Sequence, residues 1–95
     1  MSNTNTNEQI TLACRLRHRA VGGDGVLVHL DSGRIIVVNE VGLHIVQQLA
    51  TPKTRQQLIE SITSTFDVNK EQAETDLALY IAELDKEQVF ERVDI

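Results

Sequence analysis

The sequence is poor in the residues that usually announce a chemistry. Among 95 residues there is no Trp, one Tyr and two Phe, so Val, Ile and Leu must fill any interior. The one cysteine, Cys14, excludes an internal disulfide and any site built on paired cysteines, and it suits a reducing compartment. No apolar run approaches the ~18 residues of a membrane span. The opening stretch MSNTNTNEQ has neither the basic nor the apolar region of a signal peptide. A cytoplasmic chain with no membrane partner is the expectation.

What is present is ordinary in amount and uneven in placement. Apolar residues make up 41% and charged residues 24%, near the globular average. A chain of this length makes one domain and buries roughly 64% of its open-chain surface. The net charge of −5 is divided: residues 10–55 hold six basic and three acidic side chains, residues 56–95 three basic and ten acidic. Either the molecule is dipolar or its helices carry solvated acidic faces.

Residues 1–9 are polar and without apolar periodicity, which predicts a disordered tail ahead of a single domain at 10–95. Ile10, Leu12, Cys14 and Leu16 alternate with polar residues, as a half-buried strand does. The Gly22-Gly23-Asp24-Gly25 turn leads to a second strand at Val26–Leu30, and Asp31-Ser32-Gly33 to a third, Arg34–Val38, apolar on both faces. The period then changes. Asn39 is a suitable N-cap for a helix burying Gly42, Ile45, Val46 and Leu49, which Thr51-Pro52 ends. Thr54 with Gln57 forms a capping box for a second helix burying Leu58, Ile59, Ile62 and Phe66. Asn69 with Gln72 opens a third in the same way, with Ala73, Leu77, Tyr80, Ile81 and Leu84 inward, before Val89 and Phe90 return to the core. The expectation is an α+β domain: a three-stranded antiparallel sheet followed by three helices, winged-helix-like in outline.

Catalytic signals are missing. His18, His29 and His44 fall on separate elements with no pairing at i, i+4, and neither a zinc site nor a hydrolytic triad assembles from them. The Gly-rich turn lacks the lysine and following helix of a phosphate loop. The acidic pairs of the third helix (Glu71/Glu74, Glu83/Glu87) read as exposed surface, without the desolvation a general acid requires. No enzyme activity, metal or cofactor is expected.

Two binding readings remain. A winged helix would put its last helix into a DNA groove, but here that helix carries Glu71, Glu74, Asp76, Glu83, Asp85 and Glu87 against Lys70 and Lys86. Phosphate would repel it, so no nucleic-acid partner is expected. The alternative is a peptide-binding module. In a 1-2-3 sheet the apolar third strand is an edge open to strand addition, and Leu79 stands off the core face of the third helix. The same edge could pair with a second copy to give a homodimer.

The stretch GVLVHLDSGRIIVVN at residues 25–39, followed by Gly42, Ile45 and Leu49, resembles the PqqD family of small peptide chaperones, also called RiPP precursor-peptide recognition elements. Thr54–Ile62 is similar to the second helix of that family and Glu71–Leu84, with Asp76, Tyr80 and Leu84, to the third, so the resemblance covers about residues 19–91. Two departures are visible. Members commonly place Gly before the final apolar pair, where this chain has Gln88 before Val89-Phe90. The arginine-bearing first strand also looks unlike the founding quinone-cofactor members, and that pathway is not assigned. The resemblance implies that the leader of a ribosomally made precursor peptide adds as a strand between strand three and helix three and is presented to a separate modifying enzyme. By position, the implied strand side is Arg34, Ile35, Ile36, Val37 and Val38, and the helix side Asp76, Leu79, Tyr80 and Glu83. Arg34 opposite Asp76 or Glu83 would supply charges of both signs to set the peptide's register.

Overall fold

The computed structural model describes residues 8–93, so most of the expected tail (residues 1–7) lies outside it. Gln9 is already part of a strand. The elements run β1 Gln9–Leu12, β2 Leu16–Val21, β3 Asp24–His29, β4 Ile35–Val38, α1 Glu40–Gln48, β5 Lys53–Thr54, α2 Arg55–Thr65, α3 Lys70–Lys86 and β6 Phe90–Val93. The class is α+β, as expected, but the strands form two antiparallel sheets, β2-β3-β4 and β5-β1-β6. The likeness to a winged helix is loose.

The expected first strand is two strands. A turn at residues 13–16, closed by Leu16 N–H to the Ala13 carbonyl at 3.1 Å, redirects the chain. β1 then pairs with β6 along its whole length and with β5 at its start. Only β2 joins the meander. Period-2 alternation runs through both pieces, so the pattern identifies the buried face and not the partner. Cys14, expected inward, is exposed at this turn, where its N–H donates to Glu91 Oε2 at 3.1 Å. The return of Val89 and Phe90 is likewise more than a tail: Val89 is fully buried and Phe90 begins β6.

The other local signals are obeyed, except that Asp24 and Gly25, expected in the turn, already pair with Val21 and Ala20 as the start of β3. Gly22 and Gly23 form the two-residue loop between β2 and β3, and Gly22 alone of the pair has positive φ (+64°), the sign pattern of a II′ turn. Asn39 Oδ1 accepts from Gly42 N–H at 3.0 Å and caps α1. The Thr54–Gln57 capping box is complete on both sides. At α3 only half of the expected box forms: Asn69 accepts from Gln72 N–H, while the Gln72 side chain turns to Asp76 Oδ1 at 2.8 Å.

Two apolar clusters hold the layers together. Leu16, Leu27, Val38, Leu43, Val46, Leu84 and Val89 join the meander to α1 and the end of α3. Ile45, Leu49, Leu58, Ile59, Ile62, Ala73 and Leu77 join the three helices. Close approach requires Gly42 on α1: a Cβ there would stand 2.8 Å from Val38 Cβ and 3.1 Å from Tyr80 Cε1. Among the described residues, no helix is long and apolar enough to cross a membrane.

Candidate functional site

β4 is an edge strand. It pairs with β3 in the register Val28↔Ile35, Leu27↔Ile36, Val26↔Val37 and Gly25↔Val38. His29 N–H donates to the Arg34 carbonyl at 3.0 Å, which makes 29/34 a hydrogen-bonded pair. Bonded and non-bonded pairs alternate along an antiparallel ladder, so Ile36 and Val38 direct their backbone groups to β3. Ile35 and Val37 direct theirs to the open edge. Among the described residues, a short apolar strand is left with one unpaired row.

Opposite that edge runs one stripe of α3. Asp76, Leu79, Tyr80 and Glu83 follow the i, i+3, i+4, i+7 spacing of a helix face, and they are distinct from the core stripe of Ala73, Leu77 and Leu84. The cleft between strand and helix has a volume of about 530 Å³; Ile36, Val37, Val38, Asp76, Leu79, Tyr80 and Glu83 all line it, joined by Asn39, Leu84 and Glu87. Its floor is mostly apolar. Leu79 is 62% exposed, an unusual position for a leucine unless something is to cover it.

Two contacts set the cleft's shape. The Tyr80 hydroxyl donates to Asn39 Oδ1, the same oxygen that caps α1, so the end of β4, the start of α1 and the middle of α3 meet at one atom. Burial pushes the Tyr80 hydroxyl above its usual range and the nearby Asp76 adds to this. The group therefore stays protonated and available to donate. At the other end Arg34 forms a two-pronged ion pair with Glu87, whose second bond is Nη2 to Oε2 at 2.9 Å. The hydrogen bond from Arg34 holds the Glu87 carboxyl below its ordinary range. His29 Nε2 meets the Glu87 carbonyl at 2.6 Å and ties β3 to the same helix end.

Two of the nine residues singled out in the sequence lie outside the cleft proper. Ile35 is 65% exposed on the outer face of the sheet, contributing backbone to the edge and no side chain to the floor. Arg34 meets Glu87, one helical turn beyond Glu83, and closes the cleft's end instead of facing Asp76 or Glu83. Asn39, Leu84 and Glu87 were missed as lining residues. Asn39 reads locally as a cap and Leu84 as core, and only Glu87, at i+4 from Glu83, carried a sequence signal. Among the described residues, no three His, Cys, Asp or Glu side chains converge to hold a metal.

Comparison with known proteins agrees with this geometry. No curated protein matches the chain. The solved structure of TbiB1 in complex with the TbiA(beta) leader peptide is similar with a TM-score of 0.75 and 21% identity, over 85% of this chain and 94% of that one. Lasso peptide synthetase B1 complexed with the leader peptide is similar with a TM-score of 0.72 and 22% identity, over 86% and 96%. At such identities the likeness shows a common fold. The sequence model of the family described as Coenzyme PQQ synthesis protein D (PqqD) matches residues 24–89, from the start of β3 to the residue before β6 and so across both walls of the cleft. The chain belongs to the PqqD family.

Proposed function

We propose that the chain binds the leader segment of a ribosomally synthesised precursor peptide as an added strand on β4 and presents it to a separate modifying enzyme. The observation that carries this is the unpaired backbone row of Ile35 and Val37 beside an apolar cleft walled by α3. A peptide strand beside β4 would satisfy that row at the usual ~4.8 Å spacing and gain affinity independent of its sequence. Selectivity would come from the floor. Ile36, Leu79 and Tyr80 offer apolar contact to alternate side chains, while Asp76 and Glu83 favour a basic or donor residue. Arg34 and Glu87 bound the site at its far end. Both solved structures of similar fold hold leader peptides, which supports the reading. The role is binding, with the chemistry left to the partner enzyme.

The test is a titration of the protein with the fluorescently labelled leader of whatever short precursor frame the neighbouring genes encode. Saturable binding is expected, with Ile35 and Val37 amides protected from hydrogen exchange in the complex. Binding that leaves those two amides unprotected would place the peptide elsewhere. No binding at all would sink the proposal.

A further inference from the structure

The meander has a second face, and of its residues only Val37 also borders the cleft. Leu16, Leu27 and Val38 turn inward to the core, so alternation puts Arg17 and Arg19 of β2, Val26 and Val28 of β3, and Ile35 and Val37 of β4 on the outside. The registers join them into two cross-strand rows, Arg17–Val28–Ile35 and Arg19–Val26–Val37. Each row runs from a guanidinium through two aliphatic side chains to the open edge. Ile35 is 65% and Val37 71% exposed. Aliphatic rows of this kind on the solvent face of a sheet mark a surface awaiting a partner.

Charge says which partner. The three strands contain a single carboxylate, Asp24 at the hairpin tip, against Arg17 and Arg19. A second copy laid face to face would bring four guanidiniums together with two carboxylates, so self-association on this face is opposed. A protein surface with an apolar centre and acidic rim fits instead. Its position also matters, because a strand added to β4 turns its alternate side chains onto this same face. Leader and sheet then make one surface, the leader adding a fourth position to each row.

We infer that this outer face docks the modifying enzyme, through an acid-rimmed apolar patch on that enzyme, and that the bound leader completes the surface. The inference rests on the proposed leader binding. It explains how loaded and empty protein are told apart: the enzyme meets rows of three side chains without the leader and rows of four with it. By linkage, leader and enzyme must then tighten each other's binding by the same factor.

The experiment measures affinity for the peptide-modifying enzyme found among the neighbouring genes, with and without saturating leader peptide. Three proteins are compared: wild type, Arg17→Glu/Arg19→Glu, and Val26→Thr, which keeps β-branching and volume. All three substituted positions are two strands or one strand removed from the open edge. The leader is expected to tighten enzyme binding at least fivefold in wild type. The charge reversal should weaken enzyme binding at least tenfold in low salt, and Val26→Thr about threefold, with leader affinity within twofold throughout. Enzyme affinity unchanged in both variants, with leader binding intact, overturns the docking face alone. Loss of leader binding in wild type overturns the proposed function and this inference together. A wild-type dimer that the charge reversal dissociates, seen by sedimentation at assay concentration, reassigns the face to a second copy and overturns the inference.

Discussion

Gln88 shows a residue held against its own preference. Its φ is +60°, in the left-handed region that glycine occupies at little cost, and it is the described chain's one non-glycine residue there. The reason is the way α3 ends. Gln88 N–H donates to the Asp85 carbonyl at 3.0 Å and Val89 N–H to the Leu84 carbonyl at 3.2 Å, a Schellman closure with Leu84 and Val89 packed in one cluster. Burial of Val89 holds the strained turn in place. Gln88→Gly should therefore stabilise the fold by about 0.5–1 kcal/mol, visible as a higher urea midpoint at unchanged slope. Leu79 tests the cleft at the same scale. Leu79→Glu should leave stability within roughly 1 kcal/mol, since the side chain is outside the core, and weaken leader binding about 5- to 150-fold. His44 gives a pH signature. Burial holds its ring below the ordinary histidine range, a contact to Ser61 at 2.7 Å notwithstanding. The unfolded chain thus takes up the proton more readily than the folded one. Stability is fully present above about pH 6.5 and falls on acidification through and below it. His44→Gln should show a shallower loss between pH 7 and pH 5 in urea melts; parallel curves would exclude His44 as the group responsible.

Among the elements, β4, α1 and α3 are positioned relative to one another by Gly42. The gap at its Cα is too small for a methyl group on two sides, with Val38 and Tyr80 as the neighbours. Gly42→Ala should cost about 1–3 kcal/mol by overpacking, even though alanine is the better helix former. Because Tyr80 lies on the cleft floor, leader affinity should fall too, whereas Gly33→Ala, in the exposed β3–β4 loop, should destabilise without changing affinity. The helices themselves were legible in the sequence. Asn39, Thr54 and Asn69 each cap where expected, because capping is a contact within three residues. The strands were legible by face only. Ile10, Leu12 and Leu16 do turn inward, but β1 and β2 join different sheets, and nothing within residues 9–21 distinguishes the partners.

Over the whole molecule, the basic meander and the acidic α3 occupy opposite sides of the cleft. Any duplex binding should be weak and vanish with moderate salt, since α3 would meet phosphate with five carboxylates and a sixth, Glu87, at its C-cap. Tight retention of duplex DNA at physiological salt would contradict the peptide reading. Composition, period and caps in the sequence by themselves determined an α+β domain, its three helices, most inward residues of each (Leu43, buried on α1, was not among them, and Tyr80 also lines the cleft) and the one stripe of α3 that leaves Leu79 uncovered. Each of these depends on chain neighbours a few residues apart. Only the tertiary structure decided that β1 leaves the meander for β5 and β6, that Ile35 faces outward while Ile36 lines the cleft, and that Arg34 pairs with Glu87 across 53 residues. Those outcomes depend on which surfaces meet, and a periodic pattern encodes the face a residue shows without encoding what stands opposite it.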